Sequence, residues 1–287
     1  MEKVKIIADA TCSLTKKECE EMGIDCLELS FILDSVEYTS FQEDDISILE
    51  HYERLDKVKQ VSTSCVNVDT FEAKFREYVS QGYKVIYTGL SGGLSATYAN
   101  AQTAQKNINE EYGQKMVYTV DSKNGSYGEL LVIERIKELL DEGKTLDEVE
   151  EIAQKEADNA SVVFIAPDLN FIFKIGRLSA LSFGIGKLLR IVPIIGTDEA
   201  GHLKVKEKCI GLKLAYKKAK NQFVDLINKN KYKKCYFASC NMPEAIDELK
   251  KHISENTEIK IEDMKTGLLD KVMSCCCGPR TIAIFCM

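Results

Sequence analysis

The run Ser91-Gly92-Gly93-Leu94-Ser95 has the composition of an anion site. It lies between an apolar stretch at 84–87 and an amphipathic one that begins near Tyr98. It is therefore predicted to join the carboxyl end of a strand to the amino end of a helix, where open α/β sheets bind ligands. Gly92 and Gly93 let the backbone bend and come close to a ligand. Ser95 is expected as the helix N-cap. First-turn N–H groups have no partner inside their helix, and the helix dipole adds partial positive charge. Ser91, Gly93, Leu94 and Ser95 would thus hold an anion through amides and hydroxyls, with no lysine required. The plainer alternative is a tight turn with an ordinary cap. A second hydroxyl cluster, Ser62-Thr63-Ser64, precedes another helical stretch. Alone it reads as a cap; paired with the first turn, Thr63 and Ser64 would supply the other side of one site.

Other candidate chemistry is thinner. Cys275-Cys276-Cys277 runs into Gly278-Pro279-Arg280. Adjacent thiols do not have the CxxC spacing of zinc sites, and the segment reads as a buried strand end entering a turn, with a soft-metal or redox site as the sharper alternative. No metal is expected. Arg177 follows a Gly stop at Gly176 and is placed to meet an anion, a partner protein or only the last helix carbonyls. There is no GxxxxGK[ST] loop, GxGxxG fingerprint or GxSxG elbow. His51, His202 and His252 are the only histidines; the first and last are expected on helix surfaces, so a Ser-His-Asp triad is poorly supported.

The elements that must position these groups alternate. Strands are predicted at 4–8, 25–30, 84–87 and 116–120. Helices are predicted after the capping box Thr15-Lys16-Lys17-Glu18, through Phe71, Phe75, Tyr78 and Val79, from Tyr98 to Gly113, over 128–140, and after Thr145-Leu146-Asp147-Glu148. This rhythm predicts an N-terminal parallel-sheet α/β domain, residues 1–160. Beyond it come helical stretches at 168–174 and 179–189, a strand at 191–195, a hairpin strand at 202–205 and two helix–strand pairs. These predict a smaller C-terminal α/β domain with a mixed sheet, residues 161–287. The length of 287 residues suits two domains.

With 45% apolar and 29% charged residues and a net charge of −7, the chain reads as globular and not as a nucleic-acid binder. No apolar run approaches the ~18 residues of a membrane span. MEKVKIIAD reaches an acid before an apolar core forms, so no secretory signal is expected. The 11 cysteines are expected to be reduced thiols in a cytoplasmic protein, many buried as small hydrophobes.

In order and spacing, the pieces resemble the DegV family of bacterial fatty-acid-binding proteins. Ala8-Asp9-Ala10-Thr11 is similar to its TDST segment, Thr63-Ser64 to its TS, and Ser91 with Leu94-Ser95-Ala96-Thr97-Tyr98 to its S-S-x-L-S-G-T-Y turn. Asp121-Ser122 is similar to its DS, Gly176-Arg177-Leu178-Ser179 to its GRIS, residues 186–193 to its G-x-L-L-x-I-x-P, and Gly278-Pro279 to its GPG. The resemblance implies two α/β domains with a long-chain fatty acid (C14–C18) between them. Its carboxylate would lie on the residues matching Thr63 and Ser95, and its acyl chain in an apolar tunnel. It implies a carrier, with no cofactor beyond that ligand, presenting it to a separate fatty-acid kinase.

The sequence departs from the pattern. Position 10 is alanine where the family has serine, the family's histidine falls on Cys276, and the last glycine of GPG is Arg280. The family implicates the histidine, and an arginine that falls near Ile210, in meeting the kinase. Arg280 is expected near the mouth of the site, restoring positive charge there. The competing reading is an acyl- or phosphate-ester enzyme using Ser95 or a thiol such as Cys65 or Cys276, against which the shortage of histidine counts.

Overall fold

The computed structural model describes residues 3–41, 46–178 and 191–287. The chain opens with β1 (Lys3–Asp9), a 3-10 turn (Ala10–Cys12), α1 (Lys16–Met22), β2 (Asp25–Leu27), β3 (Ser30–Leu33), β4 (Val36–Thr39), α2 (Ile48–Leu55) and β5 (Val61–Thr63). It continues with α3 (Val68–Val79), β6 (Tyr83–Gly89), α4 (Thr97–Tyr112), β7 (Val117–Asp121), α5 (Tyr127–Asp141) and α6 (Leu146–Asn159). There follow β8 (Ser161–Ile165), α7 (Leu169–Lys174), β9 (Ile191–Thr197), β10 (Leu203–Ile210), α8 (Leu212–Asn230), β11 (Cys235–Ser239), α9 (Pro243–Asn256), β12 (Thr266–Leu268), α10 (Lys271–Cys277) and β13 (Ile282–Cys286). The helix expected at 179–189, Ser179 itself and most of the 186–193 match lie outside the described residues.

The expected mixed α/β architecture is present. One sheet, β2-β1-β6-β7, is wholly parallel. Every residue of β7 is buried and β6 is buried from Val85 onward, as strands covered on both faces require. A separate six-stranded sheet, β10-β9-β8-β13-β11-β12, is mixed: only β11 and β12 run parallel. No described helix is long and apolar enough to cross a membrane.

Local sequence explains the ends of the elements. Both predicted capping boxes form, at Thr15/Glu18 and at Thr145/Glu148. Asp168 caps α7, and Gly176 ends that segment at a φ of +71°. Of the expected face of α3, Phe71, Phe75 and Val79 are buried, while Tyr78 is half-buried with its hydroxyl donating to Asp25. The Phe71 ring centroid lies 5.5 Å from Phe75 and 4.9 Å from Tyr87 of β6.

Three expectations are corrected. The single strand predicted over 25–30 is two, β2 in the parallel sheet and β3 in a small antiparallel sheet, β4-β3-β5. Asp34 and Ser35 make the β3–β4 turn with φ of +47° and +75°, the left-handed pair that a two-residue hairpin needs. Cys275-Cys276-Cys277 is the end of helix α10, started by an Asp270 side chain that accepts from Met273 N–H, and not a strand end. Successive helical residues point about 100° apart, so the three thiols diverge. His51 is buried, not on a helix surface: its Nε2 lies 2.9 Å from Ser274 Oγ and its ring packs edge-on to Phe31.

Phe75 carries the interface of α3 with the parallel sheet. We expect Phe75→Ala to cost about 3–5 kcal/mol in urea unfolding. A loss below 1 kcal/mol would show that the site collapses around the cavity.

Candidate functional site

The 91–95 turn is built by carboxylates at strand ends. At the end of β1, Asp9 Oδ2 accepts from Leu90 N–H at 2.9 Å and from Tyr87 O–H at 3.0 Å. At the end of β7, Asp121 Oδ1 accepts from Gly92 N–H at 3.1 Å and Lys123 N–H at 3.0 Å. Ser91 N–H donates to Asn124 O at 2.7 Å. Ser91 Oγ donates to Gly201 O at 3.1 Å and accepts from Gly93 N–H. A Cβ on Gly93 would stand 2.5 Å from the Gly201 carbonyl carbon. The close approach made by Gly93 is therefore to the β9–β10 turn, and Ser91 and Gly93 clamp the two sheets together beside the site.

Ser95 is not the N-cap of α4. That residue is Ala96, which offers no side-chain cap. Ser95 Oγ accepts from Thr97 N–H at 3.2 Å and lies 2.9 Å from Thr97 Oγ1, the local turn that serine hydroxyls make when they bond two residues ahead. β5 brings the second cluster alongside. Val66 N–H donates to Thr97 Oγ1 at 3.4 Å, and Asn100 Nδ2 donates to Val66 O at 2.8 Å. Ser64 Oγ sits 2.7 Å from Ser30 Oγ.

A cavity of about 370 Å³ opens here between the two sheets, within the ~300–1,000 Å³ of small-molecule sites. Thr63, Ser64, Ser95, Leu94, Arg177 and Cys276 all line it. Leu90, Val162, Phe164, Met273, Ala283 and Phe285 give it apolar walls. Arg177 Nε donates to Leu94 O at 2.6 Å, and its Nη1 donates to Ile175 O at 2.7 Å. The guanidinium is thus held at the polar group by the turn's own backbone. Arg280 is not among the lining residues. Its Nη2 pairs with Asp56 at 3.2 Å, on a backbone with φ of +64°. Burial, and then the Asp270 charge, push the Cys276 thiol up to about 12, so it stands in the cavity as a neutral thiol.

A family model described as "Uncharacterised protein, DegV family" matches residues 3–287. The chain belongs to the DegV family. A DegV domain-containing protein of Clostridium perfringens is 26% identical over 289 residues, covering 99% of this chain and 97% of its own. Among solved structures, a fatty acid binding DegV family protein from Streptococcus agalactiae superposes with a TM-score of 0.88 at 21% identity, covering 100% of this chain and 99% of that one. The Fatty Acid Kinase (Fak) B3 protein of Streptococcus pneumoniae, solved loaded with linoleic acid, gives 0.81 at 20% identity, covering 99% of each.

The DegV segment Ala8-Asp9-Ala10-Thr11 turns out to support the site from beneath. Thr11 Oγ1 lies 2.6 Å from Asp9 Oδ1 and 2.7 Å from Glu129 Oε2, all three fully buried. One hydroxyl proton cannot serve two carboxylates, so one carboxyl carries its own proton. Asp9 already accepts from three N–H and O–H donors besides this hydroxyl. Glu129 Oε1 has no partner. Glu129 is therefore the neutral acid, pushed far above the usual carboxyl range by burial and then by the Asp9 charge. Nearby Asp270, held by Ser13 at 2.8 Å, is raised to about 7, first by burial. Nothing in the sequence marked Glu129, which sits in the first turn of α5, a common place for a surface glutamate.

A carboxyl whose folded pKa is raised keeps in the folded state a proton that the unfolded chain releases above about pH 4.3, so its stabilisation is present at low pH and is lost as pH rises. We expect the stability of wild type relative to Glu129→Gln to fall from pH 4.5 upward, by up to about 1.4 kcal/mol per pH unit, in urea titrations. Parallel pH profiles would show Glu129 to be ionised.

Proposed function

We propose that the chain binds a long-chain fatty acid (C14–C18), its carboxylate on Thr63 and Ser95 and its acyl chain between the sheets. The observation that carries this is the cavity itself, with hydroxyls gathered where β5 meets the start of α4 and apolar side chains elsewhere. A carboxylate takes charge-assisted hydrogen bonds from neutral hydroxyls and amides. The acyl chain adds about 0.8 kcal/mol per buried CH₂. The fold is that of a fatty acid binding DegV family protein and of a protein solved loaded with linoleic acid. In this reading residues 1–160 and 161–287 are two domains, with the parallel sheet ending at Asp121, the mixed sheet beginning at Ser161, and the ligand between.

The same reading makes the protein a carrier that presents its ligand to a fatty-acid kinase, as the likeness to the Streptococcus pneumoniae protein supports. No histidine is among the described lining residues, and the Cys276 thiol stays protonated well past neutrality, which disfavours an ester-cleaving nucleophile there. Ile210, near the position where the family carries a kinase-facing arginine, is 77% exposed at the end of β10; the kinase surface of this copy is correspondingly less basic. The eleven free thiols suit a reducing compartment, so we assign the carrier to the cytoplasm.

Denaturing extraction and mass spectrometry of the isolated protein test this. We expect close to one C14–C18 fatty acid per chain, and at least tenfold weaker retention in Thr63→Ala/Ser95→Ala with the circular dichroism unchanged, since each lost hydrogen bond to a charged group is worth about 1.5–3 kcal/mol. Protein without lipid would overturn the reading, and unchanged retention in the double variant would move the carboxylate elsewhere.

A further inference from the structure

The thiols that the fold gathers are not those adjacent in sequence. Cys12 ends the 3-10 turn after β1, Cys19 is on the inner face of α1, and Cys26 is the middle residue of β2. The chain reverses twice between them, and β2 pairs with β1 so that Cys26 lies beside Ala8. Cys19 Sγ stands 2.9 Å from Cys26 Sγ, and Cys26 Sγ stands 3.9 Å from Cys12 Sγ. All three sulfurs fall within 4.8 Å of one another. Among the described residues this is the only group of three or more His, Cys, Asp or Glu side chains with metal-ligand spacing.

We propose that Cys12, Cys19 and Cys26 form a three-thiolate site for a soft d¹⁰ cation, Cu(I) in preference to Zn(II). Thiolates bonded to one ion at about 2.3 Å stand about 3.8–4.0 Å apart, a spacing that Cys12 and Cys26 already have and that Cys19 reaches by a shift of about 1 Å. Cys12 and Cys19 are buried, and half-buried Cys26 on the edge strand leaves one way in. No imidazole or carboxylate joins the group, so protein ligands stop at three. Structural zinc asks for four ligands and would have to keep a water, whereas thiolate sulfur is the ligand type that selects Cu(I). Binding forms three S–metal bonds and releases the three thiol protons to solvent.

The site is separate from the cavity, and the test does not depend on the lipid reading. The full chain, reduced and kept anaerobic, is titrated with Cu(I) against a chromophoric Cu(I) chelator, and separately with Zn(II). The expected result is one Cu(I) per chain held against the chelator, a sulfur-only shell near 2.3 Å in X-ray absorption, and weaker Zn(II) binding. Cys19→Ala and Cys26→Ser, each checked by circular dichroism, should lower Cu(I) affinity by more than the ~10–100-fold that losing an outer-shell partner costs. Cys65→Ser, which removes the exposed thiol, should leave it unchanged. Less than one equivalent bound, equal affinity in the Cys19 and Cys26 variants, or tighter Zn(II) than Cu(I) binding would overturn the assignment. So would a Cys19–Cys26 disulfide in freshly isolated protein, found by peptide mapping without reductant, because it would remove two of the three ligands.

Discussion

The geometry of the cavity depends on one buried carboxylate. Asp9 ends β1 in the middle of the parallel sheet and accepts from Thr11, Tyr87 and Leu90. Those donors belong to the turn that leaves β1, to β6 and to the loop that becomes the 91–95 turn. A charged group with no exposed surface is tolerated only when its lone pairs are filled, and here filling them fixes where both loops leave the sheet. The neutral Glu129 completes the arrangement. Were it ionised, two carboxylates would share one hydroxyl in a dry interior, and the repulsion would fall on the strand end that sets the turn.

From that anchor, polarity is sorted across the cavity. The parallel sheet delivers loops, hence backbone amides and hydroxyls. The mixed sheet delivers the middles of β8 and β13, hence Val162, Phe164, Ala283 and Phe285. A ligand with an anionic head and an apolar tail matches the two contributions. The seam between them is held by Ser91 and Gly93 against the β9–β10 turn, whose closeness leaves no room for a side chain at position 93. Glycine there serves the packing of one sheet's loop on the other's.

What the sequence made legible followed from short-range physics. Capping boxes need only four residues, and both formed; the α3 face needs only a 3.6-residue period, and its Phe71, Phe75 and Val79 went inward. The hydroxyls at Thr63 and Ser95 were legible as a pair because each sits just before a helix. Other misses were decided at longer range. Asp34-Ser35 lacks the glycine that announces a two-residue hairpin, yet β3–β4 pairing closes over both at positive φ, and Asp34 Oδ1 accepts from the distant Lys59 and Gln60 N–H groups. His51 occupies a helix face that α10, over two hundred residues away, covers. Cys12, Cys19 and Cys26 recur every seven residues, but through a turn, a helix and a strand, so the interval itself carried no geometric meaning.

The replacement at Cys276 sharpens how this copy would treat its ligand. The residue lines the cavity, at the position on which the DegV resemblance places a histidine. An imidazole there titrates near neutrality and would couple anion binding to pH. A thiol pushed up to about 12 by burial stays neutral across that range. Among the described lining residues the cationic group is Arg177, fastened to Leu94 O and Ile175 O. A carboxylate bound here would meet hydroxyls and one guanidinium. The nearby group that titrates between pH 6 and 8 is Asp270, raised to about 7 by burial and felt at Cys276, so any pH dependence in that range would follow Asp270 rather than a proton on Cys276.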